Sequence, residues 1–102
     1  MRYLGKLTGT GVVRRNGAEI ARASYDFDGY HQNHFGVTCS GEIRLPPDAL
    51  GGIFGCRGVQ LLTDEGRLLD LRFSGKDLPA GSEAAHVDVS GQLPTAAQTW
   101  QR

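Results

Sequence analysis

At 102 residues, with 39% hydrophobic residues, 22% charged residues and a formal net charge of zero, the chain has the balance of one globular domain, which excludes the disordered class. Neutrality argues against a nucleic-acid partner held by bulk electrostatics. Nine of the eleven cations are arginines, which suit planar contacts to carboxylate or phosphate, although a GC-rich genome gives the same bias. The two cysteines, Cys39 and Cys56, are too few for a disulfide framework. No segment approaches the roughly 20 apolar residues of a transmembrane helix. The N-terminal MRYLGKLTGTG also lacks the apolar run of a signal peptide. The expectation is a cytoplasmic protein without membrane contact and with both thiols reduced.

In chain order, Tyr3–Leu7 reads as a short first strand. Thr10–Arg15 then runs into Asn16-Gly17, a strong signal for a two-residue type I′ hairpin. A regular hairpin pairs Arg14 with Glu19, Val12 with Ala21 and Thr10 with Ala23, and lets Val13 meet Ile20 on the reverse face. Ala18–Tyr30 continues as a long strand with Ala21, Ala23, Tyr25 and Phe27 on one side and Arg22, Ser24, Asp26 and Asp28 on the other. A loop through His31-Gln32-Asn33-His34 follows. Phe35–Leu45 has a period of two, with Phe35, Val37, Cys39, Ile43 and Leu45 in the apolar row and Gly41 as its gap. Gly-interrupted strands of this kind suit a sheet that curls sharply.

Pro46-Pro47 stops that strand, and Pro47-Asp48-Ala49-Leu50 has the composition of one helical turn. Gly51–Gly58, with four glycines besides Ile53 and Phe54, reads as a flexible connection or a bulged edge. Next come two strands around Asp64-Glu65-Gly66. A three-residue loop closed by Gly66 in the left-handed region pairs Leu61 with Leu69, Val59 with Leu71 and Gln60 with Asp70. A two-residue loop would set charges opposite core residues, so the pattern selects the longer one. Leu62 and Leu68 then pair on the nominally polar face, and Phe73 falls opposite Arg57. Lys76–Gly81 is a loop, and Ala85–Leu93 a strand with Ala85, Val87, Val89 and Leu93 facing in. Residues 95–102 form a polar tail in which Trp100 has reason to dock back.

The whole reads as a single all-β domain over residues 1–94 plus the tail, with helices limited to one or two turns. About seven short, hairpin-linked strands predict a small, mainly antiparallel barrel, with a two-layer sandwich as the alternative.

Chemistry is harder to find. Tyr25–Phe35, YDFDGYHQNHF, gathers aromatics, acids and two histidines. One reading is a metal site using Asp26, Asp28, His31 and His34, since imidazoles and carboxylates suit zinc. The spacing is not that of a metal motif, nor of a calcium loop. The other readings are a ligand or partner contact through Tyr30, His31 and His34, or a solvated loop. Cys39 reads as an inert core thiol, and Cys56 as a thiol beside Arg57 with no local base. His86 is expected on an outward face beside Asp88. Phosphate-loop, nucleophile-elbow and HExxH motifs are absent from the sequence. Arg57 and Arg72 flank one face of the central hairpin, the setting an oligonucleotide-binding barrel would use.

We expect a small non-enzymatic binding or interaction module with no cofactor. Its contact surface would be Tyr30, His31 and His34, or the Ile53, Phe54 and Arg57 loop, against a protein, a small molecule or a second copy in a homodimer. An oligonucleotide-binding barrel is one alternative, and a metal-binding protein using the Asp26–His34 stretch is another.

Overall fold

The computed structural model describes residues 1–95 and 99–101. Among them are six strands and one helix: β1 (Arg2–Arg15), β2 (Ala18–Gln32), β3 (Gly36–Arg44), α1 (Pro47–Ile53), β4 (Val59–Thr63), β5 (Leu68–Phe73) and β6 (Ala84–Gly91). All neighbouring strands are antiparallel, and the order β1-β2-β3-β6-β5-β4 closes into a barrel. Strand β4 returns beside β1 after α1, the 4-1-2-3 order of a Greek key. Closure rather than stacking therefore covers the apolar faces. Six strands replace the expected seven because Tyr3–Leu7 and Thr10–Arg15 are one strand, paired along its length with β2. Glycines at 5, 9 and 11 bend it without breaking it.

The β4–β5 hairpin has the register that its apolar pattern selects: Leu61 opposite Leu69, Val59 opposite Leu71, Gln60 opposite Asp70. Gly66 sits at φ 90° in the left-handed region, where a Cβ would cost energy. Leu62 and Leu68 pair on the outside, are half-buried, and continue onto Val12 of β1.

The β1–β2 hairpin departs from its expected register. Asn16 and Gly17 make the left-handed turn (φ 52° and 85°), and Arg14 lies opposite Glu19 as expected. Ile20 is then inserted as a bulge, so Val13 pairs with Ala21 and Gly11 with Ala23. The expected Val12–Ala21 and Thr10–Ala23 pairs and the Val13–Ile20 contact do not form. One extra residue flips the parity of everything beyond it, and the flip carries Val13 from the outer face into the core, where it is fully buried. Ile20 is left 38% exposed.

Two other expectations fail locally. Phe35 does not begin the apolar row; it is 79% exposed, because β3 starts at Gly36 and Phe35 belongs to a three-residue loop whose N–H donates to the Gln32 carbonyl at 3.1 Å. The Gly51–Gly58 stretch is not a flexible connection throughout, since α1 runs through Gly51-Gly52 to Ile53. Pro47 suits its first turn, and burial of Leu50 and Ile53 outweighs the poor propensity of two glycines. Ile53 is therefore buried in the core rather than displayed on the surface. Phe54 lies half-buried against Phe73, with ring centroids 5.1 Å apart.

One end of the barrel is closed by Trp100, which is buried and donates its indole N–H to the Pro94 carbonyl at 3.3 Å. Gln101 bridges to Lys6 of β1. Part of the expected polar tail is thus docked; residues 96–98 and 102 of it lie outside the described residues. In the core the inward rows meet: Tyr25 and Phe27 of β2, Cys39 and Ile43 of β3, Val87 and Val89 of β6, Leu69 and Leu71 of β5, and Val59 and Leu61 of β4. Gly41 interrupts the β3 row because a Cβ there would collide with the backbone of Asp26 and Phe27, the residues of β2 that it lies against in the ladder.

Candidate functional site

The Asp26–Phe35 stretch does not assemble into a metal site. Asp26 and Asp28 lie on the outer face of β2 and both engage Lys6 of β1, at 2.9 and 3.2 Å. Hydrogen bonds to these two carboxylates hold the Lys6 ammonium well above the usual lysine range. The Tyr3 hydroxyl donates to Asp28 at 2.8 Å. His31 has the opposite parity on the strand and stands about 16 Å along it from Asp26, at roughly 3.3 Å per residue. His34 is in the loop beyond, exposed and at φ 74°. Among the described residues no three His, Cys, Asp or Glu side chains converge on one point. The expected Tyr30, His31 and His34 contact also divides. Tyr30 packs against Tyr3 (centroids 5.3 Å) and lines an outer cleft with Lys6, Asp28 and Glu42. His31 and His34 stay at the end of the barrel with Phe35.

The two thiols have opposite settings. Burial pushes Cys39 up to about 12, so it is a core thiol with almost no thiolate at neutral pH. Cys56 is half-buried and lies 3.8 Å from the Gly52 carbonyl oxygen. One contact has no local signal in the sequence: Ser74 Oγ is 2.6 Å from His86 Nδ1, brought there as the ladder between β5 and β6 runs on past Phe73. A serine nucleophile needs a base held by a third group, and donors for an oxyanion. Here His86 is exposed, and among the described residues no carboxylate lies within ion-pair distance of its ring. The pair is a surface hydrogen bond.

A better site follows from how β4 and β5 end. The Thr63 N–H bonds the Arg67 carbonyl at 2.9 Å, and the Ser74 N–H bonds the His86 carbonyl at 3.2 Å. Antiparallel alternation between these fixed points turns Leu69, Leu71 and Phe73 towards β4, and Asp70 and Arg72 towards β6. But β4 begins only at Val59, opposite Leu71. The backbone N–H and C=O of Phe73 therefore face a side that β4 has vacated. The preceding loop swings away between Gly55 and Gly58, both left-handed (φ 77° and 74°), and is held to the β1–β2 turn by the Asn16 N–H to Gly58 carbonyl bond at 3.2 Å.

The gap is a groove of about 560 Å³ lined by Gly55, Cys56, Arg57, Gly58, Leu71, Arg72 and Phe73. The Phe54–Phe73 pair backs it. Arg57 and Arg72 are exposed, and neither has an ion-pair or hydrogen-bond partner among the described residues; Asp88, directly across from Arg72 on β6, stands beyond ion-pair distance. Four other arginines are engaged: Arg22 with Asp64, Arg44 with Glu42, Arg67 with Glu65, Arg14 with the Gly17 carbonyl; Arg2 and Arg15 do not border the groove. A second cavity of about 460 Å³, between Arg22, Arg44, Glu83 and Pro46-Pro47, has both of its arginines in ion pairs, with Asp64 and Glu42, and an acid in its wall. The groove at Arg57 and Arg72 is where unspent guanidinium donors, an aromatic wall and free backbone groups coincide. Chemically it can hold one small anionic group. Comparison with known proteins finds no matching family model, no matching curated protein and no matching solved structure.

Proposed function

We propose that this is a small non-enzymatic binding module that takes a phosphate or carboxylate group of its partner between Arg57 and Arg72. The observation that carries this reading is that two arginines without internal partners border the same groove, beside the outward-turned Phe73 amide. Guanidinium groups meet both anions with paired N–H donors. Hydrogen bonds to charged groups contribute about 1.5–3 kcal/mol each, less where water competes. The rest of the outer surface favours a single anionic group over a long polyanion: Asp26, Asp28, Glu42, Asp70 and Asp88 spread across β2, β3, β5 and β6, and net charge is zero. That distribution weighs against the oligonucleotide alternative. A cytoplasmic setting is supported by two free thiols, and no described helix is long and apolar enough to cross a membrane.

The test is a titration of ¹⁵N-labelled protein with inorganic pyrophosphate, and with a short peptide as free carboxylate or as amide. Shifts should concentrate at 55–58, 72 and 73, and should weaken about tenfold or more in Arg57→Gln and in Arg72→Gln. Shifts elsewhere, or affinities indifferent to both substitutions, would overturn the proposal.

A further inference from the structure

Although the barrel closes, part of β2 keeps an open edge. Strand β2 is paired with β1 over its whole length, but β3 joins it only from Ser24 onward, opposite Arg44. The next partner in register, across from Arg22, would be Pro46, which has no N–H to donate. The chain then turns into α1 at Pro47. Among the described residues, Ala18–Ala23 thus has no strand on its second side.

The backbone groups free on that side can be identified. The Asn16-Gly17 turn is closed by Arg15 and Ala18, which exchange the hairpin's backbone bonds, so the next residue, Glu19, faces away from β1. From the other end, the Phe35 N–H to Gln32 carbonyl bond closes the β2–β3 hairpin at Gln32 and Gly36. Stepping back by two from Gln32 through Tyr30, Asp28, Asp26 and Ser24 brings Arg22 to the same edge as the β3 ladder. The Ile20 bulge lies between the two. Without it, Glu19 and Arg22 would have opposite parity; with it, both present N–H and C=O to the open side and both side chains are exposed.

We infer that a second copy of this chain pairs antiparallel with this edge, about a two-fold axis between Ile20 and Ala21. In that register Glu19 lies opposite Arg22 of the second copy and Arg22 opposite its Glu19. Both outward backbone sets are satisfied, and two opposite-charge cross-strand pairs form. Ile20, exposed in the monomer, comes to lie across from Ala21 of the second copy. Arg22 can serve both partners, because Asp64 uses only its Nη2, at 3.0 and 2.8 Å, and leaves the Nε and Nη1 donors free. A strand edge with free N–H and C=O groups is a template for a further strand, and charges that would repel other strands here complement those of a second copy. A six-residue pairing covers less than the roughly 1,600 Å² of a standard interface, so the dimer forms only at high protein concentration. The inference does not depend on the Arg57–Arg72 groove.

Sedimentation equilibrium across a wide concentration range tests it, with Trp100 fluorescence as the folding control. Wild type should pass from monomer to dimer. Glu19→Arg and Arg22→Glu should each move the midpoint about tenfold or more to higher concentration, by setting like charges opposite one another twice per dimer. The double variant Glu19→Arg/Arg22→Glu should restore association, and amide exchange at residues 19 and 22 should slow as wild type associates. A mass that stays monomeric throughout, or a dimer indifferent to both single swaps, would overturn the inference.

Discussion

Replacing Gly29 by alanine tests the plug that closes one end of the barrel. Gly29 is an inward position of β2, and its φ is not in the left-handed region, so the backbone accepts an L residue. A Cβ there, however, would lie within 2.7 Å of three atoms of the Trp100 ring. The indole must move, and overpacking of this kind costs about 1–3 kcal/mol. Full loss of the Trp100 contact, as in Trp100→Ala, costs about 3–5 kcal/mol, which sets the ceiling. For a domain of this size 1–3 kcal/mol lowers Tm by roughly 4–20 °C. Trp100 is the only tryptophan, so its fluorescence reports the plug directly. Gly29→Ala should shift the emission to the red with far-UV circular dichroism retained. In a Trp100→Ala background the same change should cost less than about 1 kcal/mol, because the clash has gone. Unchanged emission, or costs that simply add in the double variant, would show that Trp100 does not sit on Gly29.

Two further predictions concern titrating groups. Asp64 accepts a hydrogen bond from the Thr10 hydroxyl and an ion pair from Arg22, and these hold its carboxyl below the usual range. A depressed folded value stabilises the fold above the unfolded carboxylate pKa of about 4, and that contribution is lost as pH falls through the folded value. The Tm difference between wild type and Asp64→Asn should therefore be positive at neutral pH and shrink in acid; a difference constant with pH would refute the assignment. With Cys39 pushed up to about 12 by burial and Cys56 half-buried at the groove, a thiol reagent at neutral pH should modify Cys56 first and Cys39 only at the rate of unfolding. Equal native-state rates would contradict the burial of Cys39.

Much of this fold is legible in the sequence, and the failures have particular causes. The β4–β5 register follows from residue order because leucines, charges and Gly66 all demand the same loop. The β1–β2 register does not, since Val12 and Val13 are equally apolar and only closure of the barrel decides which one turns inward, with Ile20 as the extra residue. Phe35 fits the parity of a core row, but loop geometry takes it first. Two glycines hide the second turn of α1, which burial of Ile53 secures. Arg57 and Arg72 are visible as flanks of the hairpin; that they share one groove with Cys56 depends on where β4 begins, which no local signal marks. The metal reading fails for the converse reason, since four plausible ligands lie close in sequence but a strand spreads them apart and Lys6 engages two of them.

The most direct test of the central claim is a ¹⁵N-resolved titration with inorganic pyrophosphate in wild type and in the double variant Arg57→Gln/Arg72→Gln. Wild type should show saturable shifts centred on residues 55–58, 72 and 73, weakened by added salt and abolished in the variant. Equal binding by the variant, or shifts centred on Lys6 or on the Arg22–Arg44 cavity instead, would contradict that claim.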